Sequence, residues 1–237
     1  MQAIILAAGV GSRLGSLTTK KPKSLLQING LNLIENQIKQ LKDLNINKII
    51  IVVGFGAAQI KKKIGKKFTF ILNKKFKSTN NMYSLWLAKK YLNKDTLITF
   101  ADLIIEKKIL KKLIHSKKDF TLAIDRSKVL EGTMKVKVEN NFLQTVGRNK
   151  DTKPSGNFIG ISKIRKKKIK IFEKKLNKIY KFLSKEYYTE VFNHLIKDKE
   201  KIGFLDVKKY FWAEVDTIND YNNLKRNLLT SKIYKKI

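Results

Sequence analysis

Three groups of residues in this chain of 237 have types and spacings that chemistry uses. The first is Ala8-Gly9-Val10-Gly11-Ser12-Arg13-Leu14, which follows directly on the apolar run Ala3–Ala7. Glycines there let the backbone approach phosphates, and open α/β sheets bind ligands at the carboxyl ends of their strands. The dinucleotide fingerprint needs glycines at positions 1, 3 and 6. Here Gly9, Gly11 and Gly15 fall at 1, 3 and 7, with no helix-forming run behind them. The Gly-Lys-Ser/Thr ending of a Walker loop is absent too. The second group is Asp102 with Glu214-Val215-Asp216. Residues i and i+2 of a strand share a face, so Glu214 and Asp216 could meet one metal centre. Solvated surface acids are the ordinary alternative. With only 19 acids against 52 bases, three at strand ends are less easily dismissed. The third group is Tyr83, Tyr187, Tyr188 and Trp212, whose ring faces suit an ammonium ion. Its competitor is plain core packing, the usual fate of aromatics.

These residues need elements to hold them. Short apolar runs alternate with amphipathic stretches, the pattern of an α/β protein. Strands are expected over Ala3–Ala7, Lys48–Val53, Phe68–Leu72, Thr96–Ala101 and Thr121–Asp125. Asp102 then stands at a strand end. An antiparallel pair follows, Met134–Glu139 and Phe142–Val146, turning at Asn140-Asn141. Further strands are expected over Asn157–Ser162, Phe204–Val207 and Ala213–Val215. Helical spacing marks Asn32–Leu44, Gln59–Lys67, Asn81–Leu92, Lys107–His115, Lys166–Leu183, Tyr187–Ile196 and Thr217–Leu228, the last capped by Thr217. His115 and His194 fall on helices with no Ser or Asp partner at a suggestive spacing, and read as structural or solvated.

Composition narrows the class. Hydrophobic residues make up 43%, enough for a core. Cysteine is absent, which excludes disulfides and Cys-ligated zinc. No run reaches the roughly 20 apolar residues of a membrane span, and the N-terminus lacks a signal-peptide pattern. These features predict a cytoplasmic protein. The net charge of +33 raises the alternative of nucleic-acid binding. The lysines, however, run along the whole chain, dense only over Lys163–Lys175, and arginine is scarce. Compositional bias explains them better, and no nucleic-acid partner is expected.

The string LAAGVGSRLGSLTTKKPKSLL, residues 6–26, resembles the signature of the sugar-nucleotidyltransferase superfamily: LAAGxGxRL, a short gap, then PKxLL. Asn80–Trp86, Phe100–Asp102 and Trp212–Tyr221 look like segments of the phosphocholine and 2-aminoethylphosphonate cytidylyltransferases. The resemblance implies a Rossmann-like nucleotide-diphospho-sugar transferase fold with a mixed, mostly parallel central sheet flanked by helices. It implies a single domain over 1–237, with a nucleotide-binding half (1–130) and an acceptor-binding half (131–237). The implied nucleotide site is Leu6, Ala7, Ala8, Gly9, Gly11, Ser12, Arg13, Lys23, Thr79, Asn80, Ser84 and Ala101. Arg13 and Lys23 match the two cations that meet the triphosphate and would stabilise charge built up in the reaction. Asp102, Glu214 and Asp216 match the carboxylates that hold Mg²⁺. Lys135 matches a lysine on the acceptor's phosphonate, and Glu190 an acid facing a cationic amine. Tyr83, Tyr188 and Trp212 complete the expected acceptor site. The expected partners are CTP and a small phosphorylated or phosphonate acceptor, and a homodimer is compatible with this reading. Two alternatives stay open: a sugar-1-phosphate nucleotidyltransferase using another triphosphate, and a basic nucleic-acid-binding protein.

Overall fold

Gln2–Ala7 is buried at every position and forms strand β1, near the middle of a nine-stranded sheet. The computed structural model describes residues 1–28, 30–148 and 153–230; the last residues of the expected domain, 231–237, lie outside these. After β1, a small hairpin of β2 (Gln27–Ile28) and β3 (Leu31–Asn32) leads into α1 (Leu33–Asp43). A capping box starts that helix, with the Asn32 N–H donating to Glu35 Oε2 at 3.1 Å. Then come β4 (Ile49–Val53), α2 (Ala57–Ile64), β5 (Thr69–Leu72), α3 (Asn81–Leu87), β6 (Thr96–Phe100), β7 (Leu103–Ile105), α4 (Lys107–His115) and β8 (Phe120–Asp125). The second half supplies β9 (Met134–Glu139), β10 (Phe142–Gly147), β11 (Gly156–Ile164), α5 (Lys166–Ile179), α6 (Glu190–Lys197), β12 (Gly203–Asp206), β13 (Trp212–Glu214) and α7 (Ile218–Thr230).

The sheet is mixed. β5, β4, β1 and β6 run parallel through its centre. β11 joins β6 antiparallel along its second half and β9 along its first, while β8 lies on its other edge. Ile4 and Leu6 of β1 enter one apolar cluster, Ala3, Ile5 and Ala7 the other. A strand buried on both faces reads as a continuous apolar run, which is why β1 was legible.

The differences from the sequence reading are local. The expected helix Asn81–Leu92 breaks at Ala88, and a 3₁₀ turn covers Lys89–Tyr91. The helix from Lys166 stops at Ile179. Tyr187 and Tyr188 precede α6 instead of lying in it. Thr217 does cap the last helix: its hydroxyl accepts from the Asp220 N–H at 3.1 Å, and its own N–H donates to Asp220 Oδ2 at 2.7 Å.

Lys163 shows that part of the basic excess is structural. Its side chain is buried, and its ammonium donates to the carbonyls of Ile114 (2.7 Å) and Ser116 (2.8 Å) at the end of α4. Cations at a helix C-terminus satisfy carbonyls that have no helical partner. Lys163→Met should therefore lower stability by about 1–3 kcal/mol, the usual cost of orphaned buried polar groups. A shift of the urea midpoint measures this, and an unchanged midpoint refutes the role.

Candidate active site

The turn after β1 does not enter an α-helix. Two 3₁₀ turns cover Ser12–Thr18 with a kink at Gly15 (φ 51°, ψ −128°). Gly11 is left-handed at φ 74°, and a β-carbon there would stand 3.0 Å from Lys23 Cβ. The Thr18 hydroxyl ties the turn shut by donating to the Gly11 carbonyl at 2.8 Å. Glycine is needed at position 11 for both its backbone angle and its closeness to Lys23.

Lys23 bridges two acids. Its Nζ is 2.5 Å from Asp102 Oδ2 and 2.5 Å from Asp216 Oδ1, and Arg13 Nη2 is 2.7 Å from Asp216 Oδ2. Burial works against the Lys23 charge, but Asp102 and Asp216 overcome it and hold the ammonium above its ordinary value. Burial likewise opposes ionisation of Asp216, yet Lys23 and Arg13 hold that carboxyl below the usual range. Glu214 is pushed up to about 8, first by burial and then by the charges of Asp102 and Asp216. Ionised together, the three acids would carry one charge more than Lys23 and Arg13 neutralise, and near neutral pH Glu214 avoids this by keeping its proton.

Their spacing is set by backbone. β13 pairs antiparallel with β7, with Glu214 opposite Leu103, and the Val215 N–H donates to the Asp102 carbonyl at 3.1 Å. Asp102 lies in the turn between β6 and β7, and Asp216 just past β13. The strand periodicity that paired Glu214 with Asp216 therefore governs only the first of them.

These groups face a cleft of about 390 Å³, within the range of small-molecule pockets. The expected nucleotide residues Leu6, Ala7, Ala8, Gly9, Gly11, Ser12, Arg13, Lys23, Thr79, Asn80, Ser84 and Ala101 all line it, as do Asp102, Glu214 and Asp216. Asn73, which the sequence reading missed, also lines it and organises one wall: its Nδ2 donates to Ser84 Oγ (3.1 Å) and Thr79 Oγ1 (3.3 Å). The residue directly follows β5, and position at a strand's carboxyl end was the signal that would have found it. A second hollow, which Trp212 lines, meets the cleft at Arg13, Gly132, Thr133, Glu214 and Asp216.

The expected acceptor residues are not brought together. Tyr188 is fully buried, with its hydroxyl 3.0 Å from Ser162 Oγ, among Phe100, Phe158 and Phe192. It is a core residue and forms no wall of a cage, because the turn before α6 aims it into the sheet. Tyr83 stacks on Trp86 (centroids 5.5 Å apart) and lines neither hollow. Glu190 opens α6 and lines neither. Lys135 Nζ donates to Thr133 Oγ1 at 3.1 Å and also stays outside both linings. Trp212 Nε1 donates to Asp125 Oδ2 at 2.8 Å, which fixes its ring beside the second hollow. Of the aromatic set only Tyr187 reaches the cleft.

Over 98% of its length the chain is 30% identical to the bifunctional IPC transferase and DIPP synthase of Aquifex aeolicus, and it spans about half of that protein, 52%. It is 27% identical to the CTP:phosphoglutamine cytidylyltransferase of Campylobacter jejuni, over 95% of this chain and 91% of that one. The solved structure of CTP:phosphocholine cytidylyltransferase from Streptococcus pneumoniae has the same fold, with a TM-score of 0.76 at 25% identity over 95% of this chain and 97% of that one. Residues 3–131, which carry the phosphate loop and Asp102, match the MobA-like NTP transferase domain. That match takes in more than half of the chain, which belongs to the MobA-like NTP transferase domain family.

Proposed function

We propose that the protein is a cytidylyltransferase that moves CMP from CTP to a small phosphorylated or phosphonate acceptor and releases pyrophosphate. The observation that carries this reading is Lys23, held between Asp102 and Asp216 at the mouth of a glycine-rich loop, with Arg13 on the far side of Asp216. Cytidine as the base is supported by the two cytidylyltransferases to which the chain is similar. No helix among the described residues is long and apolar enough to cross a membrane.

In the reaction an acceptor phosphoryl oxygen attacks the α-phosphorus of CTP. The new P–O bond forms as the bond to the β-phosphate breaks, and pyrophosphate leaves with that electron pair. The acceptor oxygen is already anionic, so no general base is required. The loop N–H groups hold the phosphates, and Arg13 and Lys23 meet the charge that develops on the leaving group. Asp102, Glu214 and Asp216 would hold Mg²⁺. The site fits such an ion: Asp102 Oδ1 is buried without a hydrogen-bond partner, and burial together with the charges of Asp102 and Asp216 raises the Glu214 carboxyl, an effect a bound cation would oppose. Among the described residues no three acids stand close enough to form a closed cage. Mg²⁺ does not ask for one, since it keeps waters and binds through one or two carboxylates and substrate phosphates. When bound, the ion supplies a Lewis acid for the phosphates.

The test is to incubate the protein and Mg²⁺ with each of the four nucleoside triphosphates and with phosphocholine, 2-aminoethylphosphonate, phosphoglutamine or sugar phosphates, and to measure pyrophosphate. Release with CTP and an amine-bearing phosphate or phosphonate is expected, and chelation with EDTA should stop it. No release from any pair by folded protein sinks the reading. Release only with a sugar phosphate and another triphosphate replaces it.

A further inference from the structure

An acceptor phosphate or phosphonate brings negative charge to a cleft already crowded with carboxylates. It needs a cation of its own. Within the cleft Lys23 is engaged by Asp102 and Asp216, and Arg13 by Asp216. Lys135 lines neither hollow itself, and its ammonium is engaged by the Thr133 hydroxyl at their shared wall. Among the described residues one more cation lines the cleft: Arg148.

Its placement follows from strand geometry. β9 and β10 pair antiparallel with Lys135 opposite Gly147. Side chains alternate between the faces of a sheet, so the next residue, Arg148, leaves on the side of Met134, not of Lys135. Met134 lines the cleft. The guanidinium then lies over the Tyr187 ring, 5.1 Å from its centroid, and Tyr187 also lines the cleft. This contact gives an exposed arginine a defined direction at little entropic cost. Arg148, Met134 and Tyr187 belong to the acceptor half, across the cleft from the loop that carries Arg13. In-line displacement requires the nucleophile to enter opposite the leaving group. With the triphosphate met by Arg13 and Lys23, Arg148 is the cation left for the entering acceptor.

We infer that Arg148, steered by the face of Tyr187, is the residue that binds the acceptor's phosphate or phosphonate, the part the sequence pattern assigns to Lys135. The inference rests on the cytidylyl-transfer reading. It deepens that reading by stating which strand selects an anionic acceptor. A guanidinium also matches a phosphoryl group with two parallel hydrogen bonds, which an ammonium cannot do.

The test uses the full chain with Mg²⁺ and CTP, and takes phosphocholine, 2-aminoethylphosphonate and phosphoglutamine in turn as acceptor. Arg148→Gln should raise the acceptor KM by about 10- to 100-fold, the effect of losing a charge-assisted contact, with the CTP KM unchanged. Arg148→Lys should recover part of the loss. Lys135→Gln should leave the acceptor KM within about twofold of wild type, the range of an uninvolved surface change. Because Arg148 is exposed, the melting temperature should not move, and a merely structural role would not split the two KM values. An acceptor KM unchanged in Arg148→Gln, or raised only in Lys135→Gln, overturns the inference while wild-type turnover still stands. Absence of wild-type turnover with all three acceptors removes the cytidylyl-transfer reading and this inference with it.

Discussion

Asp216→Asn should lower kcat on the order of 10²- to 10³-fold, the range seen when one preorganised charge is removed from an active site. The substitution keeps size and planarity and removes only the charge. That charge is present in the native site, because Lys23 and Arg13 hold the carboxyl ionised against the effect of burial. Asparagine breaks the link between those two cations. Lys23 is left with Asp102 alone, and Arg13 with nothing to hold its guanidinium, so both lose the orientation in which they meet phosphates. Glu214 also loses one of the two charges that push its carboxyl up, and its pKa should come down from about 8. Stability should fall modestly, since two attractions, to Lys23 and Arg13, are lost against one repulsion, with Glu214. A change of about 1 kcal/mol corresponds to about 2–4 °C in a protein of this size. Pyrophosphate release and thermal unfolding, measured on the same preparation, check both parts. Equal rates in variant and wild type would refute the role of Asp216.

Gly160→Ala should cost about 10- to 100-fold in turnover although no ligand need touch it, the scale on which supporting residues act. Gly160 sits at φ +86°, where the β11–β8 register shifts between Phe158 and Ser162. A β-carbon would stand 2.9 Å from the Phe100 ring and 3.1 Å from Glu214 Oε1. The ring cannot yield, because it packs edge-on against Phe158 and Tyr188 with centroids 6.3 and 5.8 Å away. Glu214 must move instead, away from Asp102 and Asp216. The left-handed backbone adds about 1–3 kcal/mol of strain for any residue with a side chain. Gly65→Ala separates the two effects. Gly65 has φ +83° at the end of α2 and nothing within 4 Å of a β-carbon. It should lose comparable stability and keep full activity. If Gly160→Ala is as active as Gly65→Ala, the contact with Glu214 has no functional weight.

How much of this the sequence discloses depends on how local each feature is. The glycine-rich loop is a contiguous string, so the placing of Gly9–Arg13 and Lys23 at one cleft could be read directly. β1 and β4 are apolar without interruption, and such runs announce a central strand. Thr217 caps its helix through Asp220, three residues on, which is again local. Distance defeated the rest. Alternation along β9 told that Lys135 and Met134 face opposite ways, but not which face meets the cleft. That depends on how β9, β10 and β11 lie together, and so Arg148 was passed over. Tyr187 and Tyr188 fitted a helical period as well as they fit a turn, and only the packing around Phe100 and Phe158 sends one inward and leaves the other at the cleft. Gly160 carries no signal until Glu214, 54 positions later, is seen beside it.

The ribbon of β7 and β13 has a further consequence. Asp102, Glu214 and Asp216 take their spacing from this two-stranded unit, which stands apart from the main sheet and shares no backbone ladder with β9 or β10. On the proposed reading, the groups that transfer the nucleotidyl unit and the strands that greet its recipient are separate parts of the fold. Mutation along β9 and β10 can redraw the recipient side while leaving the β7–β13 ladder that spaces the carboxylates in place. A fold divided this way is free to change what it modifies while conserving how it does so.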